Sequence, residues 1–229
     1  MKTLPFALPP DKAINYDYYP RVKCLRQLLG NDAVMVACQP GTKKPKQRWG
    51  RLTLAAMSKP SHLGKLETHN IGIVLGTTSN GLCSIDLDDD AAMDEFLRIN
   101  PHLCESLRSV GESGCNVWVR IIGDYPASCK ITWNDGEAAG EWRADGNQTI
   151  ISGKHPSGCE YTIVVEEKPA EIEFGKINWP KDFRVGLLRA SAPIVHSNTV
   201  TQLHRSHSHS VTQCTQVGAS PTAFAISSF

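Results

Sequence analysis

Two aspartates separated by a single residue are the clearest candidates for chemistry in this chain. Asp86 and Asp88 close an apolar stretch in which Ile85 and Leu87 alternate with them. Because side chains alternate faces along a strand, the apolar pair would enter a core and the two carboxylates would share the opposite surface. Neighbouring carboxylates repel each other unless a cation neutralises them, and Mg²⁺ or Mn²⁺ prefers oxygen ligands. The pattern predicts a metal site at the end of a strand. The alternative is an acidic turn that caps a helix beginning at Ala91.

A second pair of charged residues lies about fifty positions downstream. Glu141 and Arg143 flank Trp142, so a strand would place the acid and the base on one face and the tryptophan in the core. They could serve a phosphate-handling site, or they could form a surface ion pair of little energetic weight. Beyond them, Lys154 and His155 lie in a polar loop that could also reach a phosphate or simply face solvent.

A basic segment precedes the aspartates. Residues 40–49 contain Lys44, Lys46 and Arg48 and end in Trp49. Such a loop could hold phosphates, because Lys and Arg are the usual phosphate-binding residues. A solvated charged loop is the alternative interpretation.

The elements that must position these residues follow from hydrophobic spacing. Helices are predicted over 18–29, 52–57 and 91–98. Strands are predicted over 33–38, 70–76, 82–87, 116–122, 141–143, 148–152 and 160–165. The turn at 77–81 would make the strands on either side of it antiparallel, and it would lie at the opposite end from the carboxylates.

Composition and charge limit the classes of function. The chain has 229 residues, of which 41% are hydrophobic, and a formal net charge of +1. This composition supports a sizeable core, and the near-neutral charge argues against a protein that coats nucleic acid by charge alone. Without a long apolar segment or a signal peptide, we expect a soluble, cytoplasmic protein. The eight cysteines form no C-x-x-C pair, which argues against a zinc ribbon.

The composition changes near Ala190 and predicts two regions. Residues 1–188 would form the folded domain, and residues 189–229 would form a disordered tail rich in Ser, Thr and His. The tail histidines, His204, His207 and His209, could alternatively bind a metal ion.

The order of the motifs is more specific than any one of them. An Asp-x-Asp strand is followed by a helix, a Gly/Ser loop entering a strand, an acid-x-Arg strand, and a strand ending in Gly-x-His-Pro-x-Gly-x-x-Tyr. This order resembles the primase-polymerase domain of the archaeo-eukaryotic primase superfamily, found in replication proteins of plasmids, phages and other mobile elements. The resemblance covers residues 33–165 and includes Lys44-Pro45 and Trp49 upstream.

The resemblance implies roles for particular acids and bases. Asp86 and Asp88 match the family's first motif, which holds two catalytic metal ions, and Glu141 matches the third acidic ligand. Arg143 is similar to a basic residue beside that acid, which would meet the incoming triphosphate. Lys44 belongs to the implied nucleotide-binding set.

One position departs from the family pattern. The Gly-rich loop is matched by residues 111–118 and includes Ser113, but the family's phosphate-contacting histidine is replaced by Asn116. Asparagine can still donate a hydrogen bond, although without charge. His155 is the expected substitute at the phosphate, with Lys154 adding charge.

Together these observations predict an α+β fold: a mixed, mostly antiparallel sheet with an RRM-like catalytic core and flanking helices. The resemblance implies a metal-dependent DNA primase/polymerase that uses a two-metal Mg²⁺ or Mn²⁺ site, a single-stranded DNA template and nucleoside triphosphates in mobile-element replication. Members commonly carry a helicase downstream. This chain ends without a helicase phosphate loop, so a separate or missing C-terminal helicase is an expected partner.

Two other classes of function remain open from the residues alone. An Asp-x-Asp motif with a distant Glu also suits a metal-dependent nuclease. A catalytically silent nucleic-acid-binding replication module is the second alternative, because of Asn116 and the missing helicase.

Overall fold

A large β-sheet dominates residues 14–186, the part of the chain that the computed structural model describes. The α-helices of this part are α1 (Pro20–Leu29), α2 (Leu54–Met57), α3 (Pro60–Thr68) and α4 (Asp90–Ile99). The strands are β1 (Val34–Cys38), β2 (Asn70–Val74), β3 (Leu82–Leu87), β4 (Arg108–Val110), β5 (Cys115–Ile121), β6 (Cys129–Trp133), β7 (Ala138–Arg143), β8 (Gln148–Lys154), β9 (Glu160–Val165), β10 (Ala170–Ile172) and β11 (Phe183–Val185). The predicted tail lies outside the described residues.

The strands pair mainly in antiparallel fashion. Their order is β1-β2-β8-β9-β4-β5-β3-β7-β6-β11, and β10 pairs with β5 in parallel. The predicted α+β class with a mixed, mostly antiparallel sheet is therefore confirmed, whereas the RRM-like core stays a prediction. The strand β3 lies between β5 and β7, so both neighbours contribute residues beside the aspartates.

Strand β3 takes part in two hydrophobic cores, one on each of its faces. Ile85 packs with Trp142 and Phe96 of α4 in the first core. Leu82 packs with Trp118 and with residues of α1 and α3 in the second core. Because both faces of β3 are covered at its start, the strand is held rigidly where it leads toward its acidic end.

The face of β3 that begins at Leu82 changes from apolar to acidic along the strand. Ser84 follows Leu82 on this face, and its buried hydroxyl donates to Asn116 Oδ1 at 2.9 Å. Asp86 comes next, with a side chain that is 14% exposed, and Asp88 beyond the strand is exposed. The second core therefore opens into a polar cleft at the acidic end of β3.

The structure differs from the predicted elements in several places. The strands before and after residues 77–81 form no hairpin ladder; they meet only at the Gly76–Leu82 bridge, because β2 pairs with β1 and β8. The helix α3 and the strands β4, β6, β10 and β11 are not among the predicted elements. Strand β4 has three residues and a buried serine at its centre, so no apolar alternation marks it.

Candidate active site

A row of three polar residues crosses three adjacent strands. Asp86 on β3 pairs directly with Asn116 on β5 and with Glu141 on β7. Directly opposed residues of an antiparallel pair have Cβ atoms roughly 5 Å apart and lie on the same face. The pairing therefore brings together two of the three acids that the sequence singled out.

Arg143 links the two acids of this row. Its Nη2 lies 2.5 Å from Asp86 Oδ2, and its Nε donates to Glu141 Oε2 at 2.9 Å. The side chains of Arg143 and Asp86 are largely buried, whereas Glu141 is 39% exposed. Because a buried carboxylate without a partner is costly, the guanidinium is the group that balances Asp86 in this arrangement.

The two aspartates of the motif have perturbed pKa values. Burial raises the pKa of Asp86, with repulsion from Asp88 and Glu141 adding to it and Arg143 and Lys43 opposing it. Burial is also the main cause that raises the pKa of Asp88, followed among the raising causes by Glu141. A group of carboxylates that burial and mutual repulsion disfavour is one that a bound cation would stabilise.

A small cavity of about 170 Å³ lies in front of the aspartates. The loop between β4 and β5 forms one wall and approaches β3 closely at Gly114, whose φ is +57°. A side chain at Gly114 would collide with the Leu87 carbonyl, so the Gly/Ser character of this loop has a steric reason. The cavity is lined by Lys43, Asp86, Leu87, Asp88, Gly111, Glu112, Ser113, Asn116, His155 and Tyr161.

Ser113 and His155 occupy the walls of this cavity. Ser113 Oγ donates to the Asp88 carbonyl at 2.9 Å, which fixes the loop against the acidic end of β3. The His155 ring is edge-on to Tyr161 with centroids 5.4 Å apart, and its Nδ1 lies 2.8 Å from Ser157 Oγ and 3.7 Å from Glu112 Oε2. The histidine is therefore oriented from two sides, with 15% of its side chain exposed.

Two cavity residues whose side chains can donate to a phosphate, Tyr161 and Lys43, were not named as site residues from the sequence. Tyr161 is held in β9 with its hydroxyl buried and without a hydrogen-bond partner among residues 14–186. Burial and the nearby Asp86 raise the pKa of Tyr161 to about 12, so its hydroxyl stays protonated. Lys43 lines the cavity where Lys44 had been expected. The Tyr in the Gly-x-His-Pro-x-Gly-x-x-Tyr pattern was a usable signal, but nothing in sequence distinguishes two adjacent lysines of one loop.

Other candidates lie away from the cavity. Lys44 and Lys154 are exposed and are not part of its lining. Trp118 is fully buried, and its Nε1 donates to Ser109 Oγ, so it is a core residue and is not available to stack on a base. Asp89 caps α4 by accepting from Ala92 N at 2.7 Å. Within this acidic segment, Asp89 therefore caps a helix, whereas Asp86 and Asp88 line the cavity.

The three predicted metal ligands can be compared with what a divalent cation requires. Within residues 14–186, no group of three or more Asp, Glu, His or Cys side chains is arranged so that it could hold a metal ion. The Arg143 guanidinium lies where a cation would meet Asp86 and Glu141. The donors are nevertheless carboxylates, which is the ligand type for Mg²⁺ and Mn²⁺, so the set fits in chemistry once Arg143 withdraws.

Comparison with protein families provides the identification. A family model described as "Bifunctional DNA primase/polymerase, N-terminal" matches residues 26–173. The chain belongs to this family. The match runs from α1 through β10 and contains every residue of the cavity described above. Comparison with curated protein sequences gave no match.

Family membership supports the general class of activity. The family match confirms the resemblance that the motif order indicated. Membership of this family implies a nucleotidyltransferase type of activity in general. Among the helices of the described residues, none has the length and apolar character needed to cross a membrane.

Proposed function

We propose that this chain is a metal-dependent DNA primase/polymerase that adds nucleotides from nucleoside triphosphates to a primer on a single-stranded DNA template. The observation that carries the proposal is the direct cross-strand pairing of Asp86 with Glu141, two acids that are 55 positions apart in sequence. Asp88 and His155 line the same cavity as Asp86. Carboxylates in front of a basic, hydrogen-bonding wall are the combination that nucleotidyl transfer needs.

In this proposal Asp86, Asp88 and Glu141 hold two Mg²⁺ or Mn²⁺ ions. When bound, such ions assist ionisation of the primer hydroxyl and neutralise charge on the leaving oxygens. The primer 3′-oxygen bonds to the α-phosphorus while the bond to pyrophosphate breaks, and the hydroxyl proton passes to water. The chain's own contribution is to orient the carboxylates, with Asp86 and Glu141 held side by side by cross-strand pairing and Asp88 placed just beyond the end of β3.

The remaining cavity residues would bind the nucleotide. Lys43 and His155 are the groups that can carry positive charge toward the phosphates. Asn116 lines the cavity and accepts from Ser84 through Oδ1, which leaves its Nδ2 as a neutral donor. Arg143, released from the carboxylates, would be free to pair with a phosphate in bidentate geometry.

A catalytically silent DNA-binding module is the second candidate, and one observation favours it. Arg143 forms ion pairs with both Asp86 and Glu141, so its guanidinium competes with a metal ion for these two carboxylates. If that arrangement were permanent, the chain would bind DNA without transferring nucleotides. The two candidates therefore differ in whether a divalent cation can displace Arg143.

A primer-extension assay tests the proposal directly. The full chain is incubated with a labelled primer on a single-stranded template, nucleoside triphosphates and Mn²⁺. We expect the primer to lengthen, and omission of Mn²⁺ with added chelator to abolish lengthening. Shortening of the primer would support a nuclease instead, and DNA binding without any change in length would support the silent module.

The replication context is part of the same proposal. We place the activity in replication of a plasmid, phage or other mobile element, with strand separation supplied by a helicase in the same or a separate chain. Addition of a helicase to the extension assay on duplex DNA would then convert an inert substrate into a template.

A further inference from the structure

The loop between β1 and α2 is strongly basic, and the active-site proposal uses only Lys43 of its charged residues. From residue 33 to residue 66 the chain contains seven Lys or Arg residues and no Asp or Glu, although the whole chain has 24 basic and 23 acidic residues. Five of the seven lie in residues 43–51, which we call the basic loop: Lys43, Lys44, Lys46, Arg48 and Arg51.

All five basic side chains of this loop belong to exposed residues. Within residues 14–186, none of them has an acidic partner within 4.0 Å, since the ion pairs of that part involve other residues. Unneutralised positive charges crowded on one short segment repel one another, and an anionic ligand would relieve that repulsion.

The basic loop is held in a fixed shape by its backbone. Gln39 N donates to the Lys44 carbonyl, Lys46 N donates to the Ala37 carbonyl, and Gln148 Nε2 donates to the Lys43 carbonyl. Trp49 packs against the core beside β1 and β2 and so anchors the loop, while its remaining surface lines an open concavity formed by residues 45–51. A preorganised loop loses less conformational entropy on binding than a flexible loop does.

The basic loop is continuous with the active-site cavity. Lys43, its first basic residue, lines the cavity that contains Asp86. The backbone from Pro45 to Arg51 then curves around a separate, open concavity that Lys46 and Arg48 help to line. The basic loop therefore extends from the cavity, at Lys43, to this second concavity, which holds three further positive charges.

We infer that the basic loop binds the phosphate backbone of the single-stranded DNA template next to the active site. The inference rests on the proposed function for the identity of the polymer. Several lysines and arginines spaced along one exposed segment suit a polyanion, whose charges recur along its length, better than a single small anion.

The test measures DNA binding without metal ion or nucleotide, so that it does not depend on catalysis. The variant Lys46→Ala/Arg48→Ala/Arg51→Ala is compared with the control Lys176→Ala/Lys181→Ala/Arg184→Ala, which removes equal charge from exposed residues at and near β11. Fluorescence anisotropy of a labelled oligonucleotide is recorded over a range of salt concentrations, and circular dichroism confirms that both variants fold.

We expect the basic-loop variant to bind single-stranded DNA at least about tenfold more weakly at low salt and the control to bind like the wild type. The salt dependence of log K should become shallower by about 2, because each lost phosphate contact on a single strand removes roughly 0.7. Wild-type affinity in the basic-loop variant, an equal loss in the control, or no DNA binding by the wild type would overturn the inference.

The outcome separates this inference from the proposed function. If the basic-loop variant loses DNA affinity but the wild type never extends a primer, the loop assignment stands and the polymerase proposal fails. If the wild type extends primers and the variant binds DNA unchanged, the polymerase proposal stands and the template lies elsewhere.

Discussion

Asp86 and Glu141 are direct partners in the ladder between β3 and β7. Their carboxylates are joined by the Arg143 guanidinium, which contacts both of them. The site therefore consists of a carboxylate pair with an internal cation already in place. Much of its predicted behaviour depends on how that cation responds to metal ions and nucleotides.

The first prediction concerns the aspartates. Loss of an outer-shell partner of a metal ligand lowers activity by up to about 100-fold. Because Asp86→Asn and Asp88→Asn each change a proposed ligand itself, each should lower primer extension by more than about 100-fold. The Asn side chain keeps the shape of the carboxylate, so the melting temperature should change little. Asp94→Asn, on an exposed position of α4, is the matched control and should extend primers normally. Extension by Asp86→Asn at the wild-type rate would contradict the site.

The second prediction concerns Arg143. If a divalent cation must displace the guanidinium, Arg143→Ala should bind Mn²⁺ about tenfold more tightly, a change of about 1.4 kcal/mol. Isothermal titration calorimetry without nucleotide measures this affinity. The double variant that also carries Asp86→Asn should lose the gain. Unchanged Mn²⁺ affinity in Arg143→Ala would show that the ion pair and the metal do not compete.

The third prediction concerns His155. Because this ring lines the cavity beside the aspartates, His155→Ala should weaken nucleotide affinity roughly tenfold and leave single-stranded DNA affinity nearly unchanged. Nucleotide binding is measured by fluorescence with a labelled triphosphate, and DNA binding by anisotropy. His102→Ala, on an exposed residue outside the cavity, provides the control. Equal losses of the two affinities would contradict a phosphate-binding role.

The fourth prediction concerns the Tyr161 hydroxyl. This group is buried and has no hydrogen-bond partner among the described residues, so its removal should not destabilise the fold. Tyr161→Phe should keep or raise the melting temperature, because an unsatisfied buried group costs about 1–3 kcal/mol. If a nucleotide supplies the missing partner, its affinity should fall about three- to tenfold in the variant, equivalent to about 0.5–1.5 kcal/mol. A lower melting temperature with unchanged nucleotide affinity would assign the hydroxyl a structural role.

The fifth prediction concerns the pH dependence of stability and His62, which lies in α3 and is not part of the cavity lining. This histidine is buried, and its Nε2 lies 2.9 Å from the Met35 carbonyl. Burial is the main cause that lowers its pKa below the ordinary 6.5. The unfolded chain takes up a proton on this histidine more readily than the folded chain does. The stability that comes from keeping His62 neutral is therefore present above about pH 6.5 and is lost as the pH falls below that value.

Urea unfolding at pH 7.5 and at lower pH values measures that effect. Wild-type stability should fall on acidification, and His62→Gln, which cannot titrate, should fall less. The exposed His102→Gln should behave like the wild type. An identical pH dependence in wild type and His62→Gln would show that His62 titrates alike in the folded and unfolded states.

The local pattern of the sequence was sufficient for the elements that carry the acids. Alternation around Asp86 and Asp88 predicted β3 with its buried Ile85 and Leu87, and Glu141 and Arg143 were correctly expected on one strand. These predictions succeed because side-chain alternation is a property of a single strand and needs no knowledge of its neighbours. The motif order similarly indicated the family, since the order of motifs is written in the chain itself.

Which strands become neighbours was decided only by the tertiary structure. The placement of β3 between β5 and β7 sets Asp86 beside Glu141 and Asn116, and the Arg143 ion pair, Lys43 and the Tyr161 hydroxyl follow from that packing. Register and strand order depend on burying two cores at once, so they result from contacts between distant segments. The sequence determined which residues could do chemistry, and long-range packing determined which of them meet.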